Sequence, residues 1–150
     1  MLTLTKLIIL RGNSGSGKTT LAREIHKRLP RNTLLISQDV IRRDMLRVKD
    51  GEHTLALPLL EALIVYGYKN CDYVILEGIL NAKWYASLFK KAHELFGQQI
   101  YAYYFDIPFE ETMKRHQERH EASFGEKQIA RGGMKKTILG SYQKRSSGVI

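Results

Sequence analysis

The feature that most constrains the fold of this chain is a glycine-rich segment near its start, with the pattern G-x-x-x-x-G-K-[ST]. The segment consists of Gly12, Asn13, Ser14, Gly15, Ser16, Gly17, Lys18 and Thr19. An apolar stretch that ends at Arg11 precedes it, and an amphipathic pattern that stops before Pro30 follows it. This order predicts a strand, a tight loop and a helix, the arrangement in which main-chain N–H groups surround phosphate oxygens.

The residue types in this segment suit a nucleoside triphosphate that binds together with Mg²⁺. Glycine has no side chain to hold the main chain away from phosphate oxygens, and it adopts dihedral angles that other residues avoid. We expect Lys18 to reach the β- and γ-phosphates and the Thr19 hydroxyl to bind Mg²⁺, with Thr20 as the last residue of the nucleotide-binding segment. The alternative is a glycine-rich turn that binds nothing.

Four apolar runs predict strands of a parallel sheet that is covered on both faces, because they are continuous rather than alternating. They are Lys6–Leu10, Thr33–Ile36, Tyr73–Leu76 and Ile100–Phe105. Helical patterns lie at 21–29, 59–64 and 84–96, and a fourth lies at 109–116. Strands that alternate with helices predict an open α/β sheet in a single domain over residues 1–150. Such sheets bind ligands at the carboxyl ends of their strands.

Asp39 follows the second predicted strand and is therefore expected at this edge of the sheet, beside the glycine-rich segment. A carboxylate there can accept the proton of an attacking hydroxyl group. Arg42, three residues on, shares a helical face with Asp39 and can hold an anionic acceptor or offset charge on the γ-phosphate. The alternative is structural, with Asp39 as a helix cap and Arg42 as its ion-pair partner.

These residues resemble those of the P-loop kinases that include zeta toxins, chloramphenicol phosphotransferase-like enzymes and polynucleotide 5′-hydroxyl kinases. The resemblance rests on Gly12–Thr19, on Asp39-x-x-Arg42 and on Tyr73–Gly78, and it covers about the first 125 residues. It implies a three-layer α/β/α P-loop kinase-like fold with a mostly parallel sheet of four to five strands. It also implies that Asp39 orients or deprotonates the acceptor and that Arg42 contacts it.

Glu77 ends the third predicted strand, where an acidic side chain can hold a water molecule on Mg²⁺. The alternatives are a carboxylate in the acceptor pocket and a cap before Asn81. Asp106 ends the fourth predicted strand ahead of Pro108, and we expect it to cap the next helix.

Arg115 and Arg119 lie four residues apart, in a segment from about residue 114 to 130 that corresponds to the lid of the resembling kinases. The resemblance implies that one of these arginines closes over the phosphates and stabilises charge on the γ-phosphoryl oxygens. The alternative is a solvated helix face with glutamate partners. The basic tail at about 129–150 is irregular, and its weak strand patterns lie at 137–139 and 148–150.

The formal net charge of +9 favours anionic partners such as nucleotides, phosphorylated metabolites or nucleic acid. Cys71 has no second cysteine to pair with, which indicates a reducing, cytoplasmic location, and we expect it to be at least half-buried. We read the first residues as a strand rather than a signal peptide, and no segment is suited to crossing a membrane.

The sequence thus predicts an enzyme that uses ATP and Mg²⁺ to phosphorylate a hydroxyl group. The acceptor is a small-molecule or nucleotide-like anion, with the end of a nucleic acid as one candidate substrate. The alternatives are a nucleotide-dependent ATPase or switch protein without an acceptor, and a nucleic-acid binder that depends on the basic tail. The absence of a D-x-x-G segment weighs against a switch, and the absence of an aromatic stacking platform weighs against a simple nucleic-acid binder.

Overall fold

The computed structural model of the chain describes residues 4–105 and 134–137. Its five-stranded sheet consists of β1 (Lys6–Gly12), β2 (Thr33–Ser37), β3 (Tyr73–Gly78), β4 (Ile100–Phe105) and β5 (Met134–Thr137). The strand order is β2-β3-β1-β4-β5. Strands β1 to β4 are parallel, and β5 pairs antiparallel with β4. All four predicted strands are confirmed, whereas β5 shares only Thr137 with the weak pattern noted at 137–139.

Within the described residues, the three helices predicted from apolar patterns are present, and the structure adds a short one. In chain order they are α1 (Lys18–Arg28), α2 (Gln38–Val40), α3 (Ala56–Asn70) and α4 (Ala86–Phe96), and α2, the added helix, continues as a π-helical segment over Ile41–Leu46. Helix α1 ends before Pro30, and α3 accommodates Pro58 in its first turn, where its missing N–H group has no helical partner in any case. The helix predicted at 109–116 lies outside the described residues.

Two apolar clusters, one on each face of the sheet, produce the three layers. On one face, Leu7 and Ile9 of β1 pack in a cluster with side chains of α3 and α4, including Leu60 and Phe89. On the other face, the intervening strand positions pack against α1, in a cluster that includes Leu10, Ala22, Ile75 and Phe105. Successive strand residues point to opposite faces, so a continuous apolar run is what a sheet buried on both sides requires. The three-layer α/β/α fold is therefore confirmed.

The register of the sheet brings three strand ends to one place. Leu10 of β1 lies opposite Glu77 of β3, and Glu77 in turn lies opposite Ser37 of β2. The segments that follow β1 and β2 therefore leave the sheet on either side of Glu77. The glycine-rich loop and Asp39 belong to these two segments, so the fold places them at the same edge of the sheet.

Cys71 is buried at the end of α3, as expected from the sequence. Burial, followed by the neighbouring Asp72 carboxylate, raises the pKa of its thiol above the ordinary value. A thiol held in its protonated form is a poor nucleophile, which agrees with a packing role. Within residues 4–105 and 134–137, no helix has the length and apolar character needed to cross a membrane.

Candidate active site

The glycine-rich loop connects the end of β1 to the start of α1 and is built around close contacts that only glycine permits. A Cβ atom at Gly12 would lie 2.7 Å from the Cβ of Phe105, at the end of β4. Gly17 is the N-cap of α1 and has a φ of 94°, which other residues rarely adopt. Within the described residues, no side chain caps this helix terminus, and the N–H groups of a helix's first turn point towards the position where an anionic ligand would bind.

Two side chains of the loop point to a phosphate ligand. The Lys18 ammonium group reaches back across the loop and donates a hydrogen bond to the Asn13 carbonyl oxygen at 2.9 Å. The Ser16 hydroxyl is fully buried, and it has no hydrogen-bond partner among the described residues. A buried polar atom without a partner is costly, and a phosphate oxygen in the loop would satisfy it. The loop therefore fits the polyphosphate chain of a nucleotide.

Glu77 lies directly beside the start of α1. Its Oε2 accepts a hydrogen bond from the Thr19 hydroxyl at 2.9 Å, and its Oε1 accepts one from the Ser37 hydroxyl at 2.6 Å. The carboxylate is almost completely buried. Glu77 does not cap the segment before Asn81, because the Asn81 side chain itself accepts the N–H groups of Lys83 and Trp84. That alternative for Glu77 is wrong.

The pair formed by Thr19 and Glu77 has the donor set that Mg²⁺ uses in nucleotide sites. Mg²⁺ is held by one or two protein oxygens and completes its coordination with phosphate oxygens and water. Within the described part of the chain there is no group of three or more His, Cys, Asp and Glu residues that could hold a metal ion alone. A cation at this position would therefore depend on a bound nucleotide.

Asp39 and two arginines form an ion-paired group at the mouth of the site. Asp39 Oδ1 accepts a hydrogen bond from Arg42 Nη2 at 3.0 Å and forms an ion pair with Arg43, whose Nε lies 3.0 Å away. Half of the Asp39 side chain is exposed, whereas Arg42 is largely buried. The Ser37 hydroxyl, and not Asp39, accepts the Val40 N–H and caps the helix. The capping alternative for Asp39 is therefore wrong, and the ion pair with Arg42 is present.

These groups share one cleft. Its wall consists of Ser14, Gly15, Gly17, Lys18, Thr19, Gln38, Asp39, Arg42, Arg43, Asp50, Glu77, Gly78 and Ile79. The structure thus brings together the predicted loop residues, Asp39, Arg42 and Glu77. The remaining predicted nucleotide-binding residues belong to the same strand, loop and helix but do not line the cleft; they are Gly12, Asn13, Ser16 and Thr20. Asp106, Arg115 and Arg119 lie outside the described residues.

A third carboxylate of the cleft, Asp50, was not predicted from the sequence, nor were the two buried side chains that hold it, Gln38 and Tyr85. Asp50 Oδ1 accepts a hydrogen bond from the Tyr85 hydroxyl at 2.5 Å, and Gln38 Nε2 donates to the same hydroxyl at 3.0 Å. Arg43 stood out in the sequence only as one of four closely spaced basic residues, Arg42, Arg43, Arg47 and Lys49. The one local feature in the sequence that concerns Asp50 is the Asp50-Gly51 pair, which is typical of a turn and does not indicate a binding site. The partnership of Asp50 with Tyr85 spans 35 positions and has no local signature.

Comparison with known families defines the class to which this architecture belongs. A model of the AAA domain family matches residues 7–136. The match covers most of the chain, which therefore belongs to this family. A search of curated proteins found no similar sequence.

Solved structures with the same fold include kinases. The chain is similar to one chain of the Pnkp1/Rnl/Hen1 RNA repair complex, with 25% identity, a TM-score of 0.61, and coverage of 96% of this chain and 47% of that one. It thus spans about half of that larger protein. It is also similar to a gluconokinase from Sinorhizobium meliloti 1021, with 15% identity, a TM-score of 0.57 and coverage of 87% and 74% respectively.

A third similar structure is the Mycobacterium tuberculosis APS kinase CysC in complex with AMPPNP and APS. The identity is 19% and the TM-score is 0.54, with 81% of this chain and 78% of that chain covered. The resemblance to the P-loop kinase group, inferred from the glycine-rich loop and Asp39-x-x-Arg42, is thereby confirmed.

Proposed function

We propose that this protein is an ATP-dependent kinase that transfers the γ-phosphoryl group to a hydroxyl group of its acceptor. The observation that carries the proposal is the shared cleft, in which Asp39 faces the same space as Lys18 and Thr19 of the phosphate loop. A protein that only hydrolyses or senses ATP does not have to bind an acceptor beside the phosphate loop, in the part of the cleft where Asp39, Arg42 and Arg43 lie. An enzyme that deprotonates an acceptor does have to bind it there.

In the proposed reaction, Asp39 acts on the acceptor, whereas Lys18 and the start of α1 act on the phosphates. The acceptor oxygen forms a bond to the γ-phosphorus, the bond from that phosphorus to the oxygen bridging to the β-phosphate breaks, and ADP leaves. Asp39 takes the hydroxyl proton. Its Oδ2 can do so because both described contacts of this carboxylate with arginine side chains go to Oδ1. Lys18 and the N–H groups at the start of α1 stabilise the charge on the β- and γ-phosphates.

Arg42 and Arg43 hold Asp39 in place and present positive charge to the acceptor side. The Arg42 Nε atom is buried and has no hydrogen-bond partner in the described residues, so this guanidinium retains a donor for an anionic group. Arg115 and Arg119 remain the arginines proposed to act on the γ-phosphoryl oxygens, as the sequence predicts. The basic net charge supports an anionic acceptor.

Mg²⁺ is the second cofactor of the proposed reaction, and Thr19 and Glu77 are the residues that would hold it. When bound, the cation neutralises charge that develops on the phosphate oxygens. The 2.9 Å contact between the Thr19 hydroxyl and the Glu77 carboxylate supports this assignment, because it places two hard oxygen ligands side by side. The lone, buried thiol of Cys71 supports the expected cytoplasmic location.

The similar structures support a kinase with either a small-molecule or a nucleic-acid acceptor. The APS kinase is in complex with AMPPNP and APS, whereas Pnkp1/Rnl/Hen1 is an RNA repair complex. The test is therefore a screen with γ-labelled ATP and with GTP across nucleosides, sugars, antibiotics and 5′-hydroxyl oligonucleotides. We expect label to be transferred to one class of acceptor and only when Mg²⁺ is present.

The decisive variant in this screen is Asp39→Asn. It should leave MgATP affinity within a few-fold of wild type and should lower phosphoryl transfer by roughly 10²–10⁴-fold, because the amide cannot accept the proton. Asp44→Asn is the matched control, since Asp44 is an exposed acid of the same helical segment outside the cleft wall. Equal transfer by the Asp39 and Asp44 variants would contradict the assignment of the base. ATP hydrolysis without any labelled acceptor would contradict the kinase.

A further inference from the structure

The wall of the cleft also contains Asp50, an exposed carboxylate that is held by several hydrogen bonds. Its Oδ1 accepts the Tyr85 hydroxyl at 2.5 Å and its own neighbour's N–H, that of Gly51, at 3.0 Å. Gln38 links the same group from β2's end, with hydrogen bonds from Nε2 to the Tyr85 hydroxyl at 3.0 Å and to Asp50 Oδ2 at 3.4 Å. Asp50 is therefore oriented by its own neighbour, Gly51, and by two residues from other parts of the chain, Gln38 and Tyr85.

The buried members of this network make Asp50 an acceptor of fixed direction. Tyr85 and Gln38 are buried, with exposed fractions of 0% and 2%. Burial and the hydrogen bond to Asp50 raise the pKa of the Tyr85 phenol above its ordinary value, so the phenol remains a donor at all physiological pH values. Without these hydrogen bonds, the exposed Asp50 side chain could sample several rotamers. Here it is pre-organised, which is what a binding group requires.

The two oxygens of Asp50 are unequally used. Oδ1 has two short hydrogen bonds, whereas the one contact of Oδ2 within the described part of the chain is that with Gln38 at 3.4 Å, which is long for a hydrogen bond. The other carboxylates of the cleft are engaged differently. Both oxygens of Glu77 accept hydroxyl groups, and Asp39 is paired with two arginines. Among the described residues, Oδ2 of Asp50 is thus a carboxylate oxygen of the cleft that has neither an ion pair nor a short hydrogen bond, as is Oδ2 of the proposed base Asp39.

We infer that Asp50 binds a second hydroxyl group of the phosphoacceptor, and that the acceptor is therefore a polyhydroxylated molecule that carries a sugar ring. The inference rests on the proposed function, because it assumes that an acceptor enters the cleft. One hydroxyl of the acceptor donates to Asp39 and is phosphorylated. Another donates to Asp50 Oδ2, which fixes the orientation of the ring. The sugar is either free or part of a nucleoside or nucleic acid, since the same donor group would be recognised in each.

A hydrogen-bonding site of this kind discriminates strongly against analogues that lack the donor. The carboxylate would then be desolvated without a partner, and binding sites built for a hydroxyl reject such analogues far better than apolar pockets reject an extra methylene. The described hydrogen bonds of Asp50 go to Gln38, Gly51 and Tyr85, and none of them goes to the phosphate loop. Loss of the second hydroxyl should therefore affect the acceptor and leave nucleotide binding unchanged.

The test uses matched pairs of probes that differ by one hydroxyl group, with γ-labelled ATP as the donor. The pairs are ribose and 2-deoxyribose, glucose and 2-deoxyglucose, and 5′-hydroxyl oligoribonucleotides and oligodeoxyribonucleotides of one sequence. For at least one pair, we expect wild-type kcat/KM to be tenfold or more higher for the member with the extra hydroxyl. The pair that shows this preference distinguishes a free sugar from a nucleic-acid end.

Asp50→Asn is the informative variant, because its amide oxygen can still accept the Tyr85 hydroxyl while the other position becomes an N–H donor. We expect it to remove the preference within the pair, mainly through a higher KM for the acceptor, with the melting temperature and MgATP affinity close to wild type. Glu52→Gln is the matched control, since it removes an exposed negative charge two residues away. It should keep the preference.

Two results would overturn the inference and keep the kinase. In one, wild type phosphorylates both members of every pair equally. In the other, Asp50→Asn lowers transfer to both members by the same factor, or lowers the melting temperature as much as Tyr85→Phe does, as a purely structural role predicts. If no acceptor of any class is labelled, the proposed function itself fails and the inference fails with it.

Discussion

Replacing Gly12 with alanine tests whether close packing between β1 and β4 supports the phosphate loop. The new Cβ would lie 2.7 Å from Phe105 Cβ, 3.0 Å from the Phe105 carbonyl oxygen and 3.2 Å from the Ser16 hydroxyl. Two of these atoms belong to the rigid end of β4 and cannot rotate away. The strands must separate or the loop must shift, and overpacking of this kind costs about 1–3 kcal/mol. The φ of 153° adds about 1–3 kcal/mol of backbone strain.

Gly51→Ala separates these two contributions. Gly51 has a similarly unfavourable φ of 137°, but a Cβ there would have no atom within 4 Å. The control therefore carries the strain without the crowding, and Gly12→Ala should be less stable than Gly51→Ala by about 1–3 kcal/mol. For a domain of this size that difference corresponds to roughly 2–12 °C in melting temperature.

Thermal unfolding followed by circular dichroism, together with titration of MgATP, provides the assay. If β1 and β4 move apart, the extra cost is measured as a lower melting temperature. If the loop moves instead, the melting temperature stays near that of Gly51→Ala and MgATP binding weakens by tenfold or more. Should Gly12→Ala match Gly51→Ala in both measurements, the close contact with Phe105 would have no energetic consequence, and a supporting role for β4 in the phosphate loop would be refuted.

Two further substitutions test the nucleotide side of the cleft. Lys18→Ala should abolish tight MgATP binding in a titration, because it removes the ammonium group that lies across the phosphate loop; full turnover by this variant would refute the phosphate-binding role. Glu77→Gln should raise the Mg²⁺ concentration needed for half-maximal activity by roughly tenfold or more, because an amide is a poor Mg²⁺ ligand. The protein should stay folded, because the amide can still form hydrogen bonds with Thr19 and Ser37. An unchanged Mg²⁺ requirement would remove Glu77 from the metal site.

The parts of the fold that could be predicted from the sequence are those with a local physical cause. A buried parallel strand needs apolar residues on both faces, so Tyr73–Leu76 and Ile100–Phe105 were recognisable as continuous runs. The phosphate loop was recognisable because its glycines, lysine and hydroxyl have fixed spacing. The π-helical segment at Ile41–Leu46 was not predicted, since the choice between α- and π-helical hydrogen bonding depends on packing rather than on composition.

The acceptor side of the site shows why the rest could not be predicted. Ser37, Gln38 and Asp50 have ordinary local contexts, and each acquires its role from a partner far along the chain. Ser37 reaches Glu77 across 40 positions, and Gln38 reaches Tyr85 across 47. The order of strands in the sheet determines which of these residues come into contact, and no local sequence pattern encodes that order. Asp39 could be identified as a candidate site residue only because it was expected to lie beside the phosphate loop, which has a recognisable motif.

A single buried carboxylate joins the two halves of the site. Glu77 accepts the Thr19 hydroxyl on one oxygen and the Ser37 hydroxyl on the other, and Ser37 in turn caps the short helix that carries Asp39. Thr19, at the start of the helix that follows the phosphate loop, is thus connected to the helix that carries Asp39, the proposed base, through the side chains of Glu77 and Ser37. Because the Ser37 contact is short, at 2.6 Å, a shift of Glu77 towards a cation must strain or release it. We therefore expect the position of Asp39 to depend on what binds at the nucleotide side of the cleft.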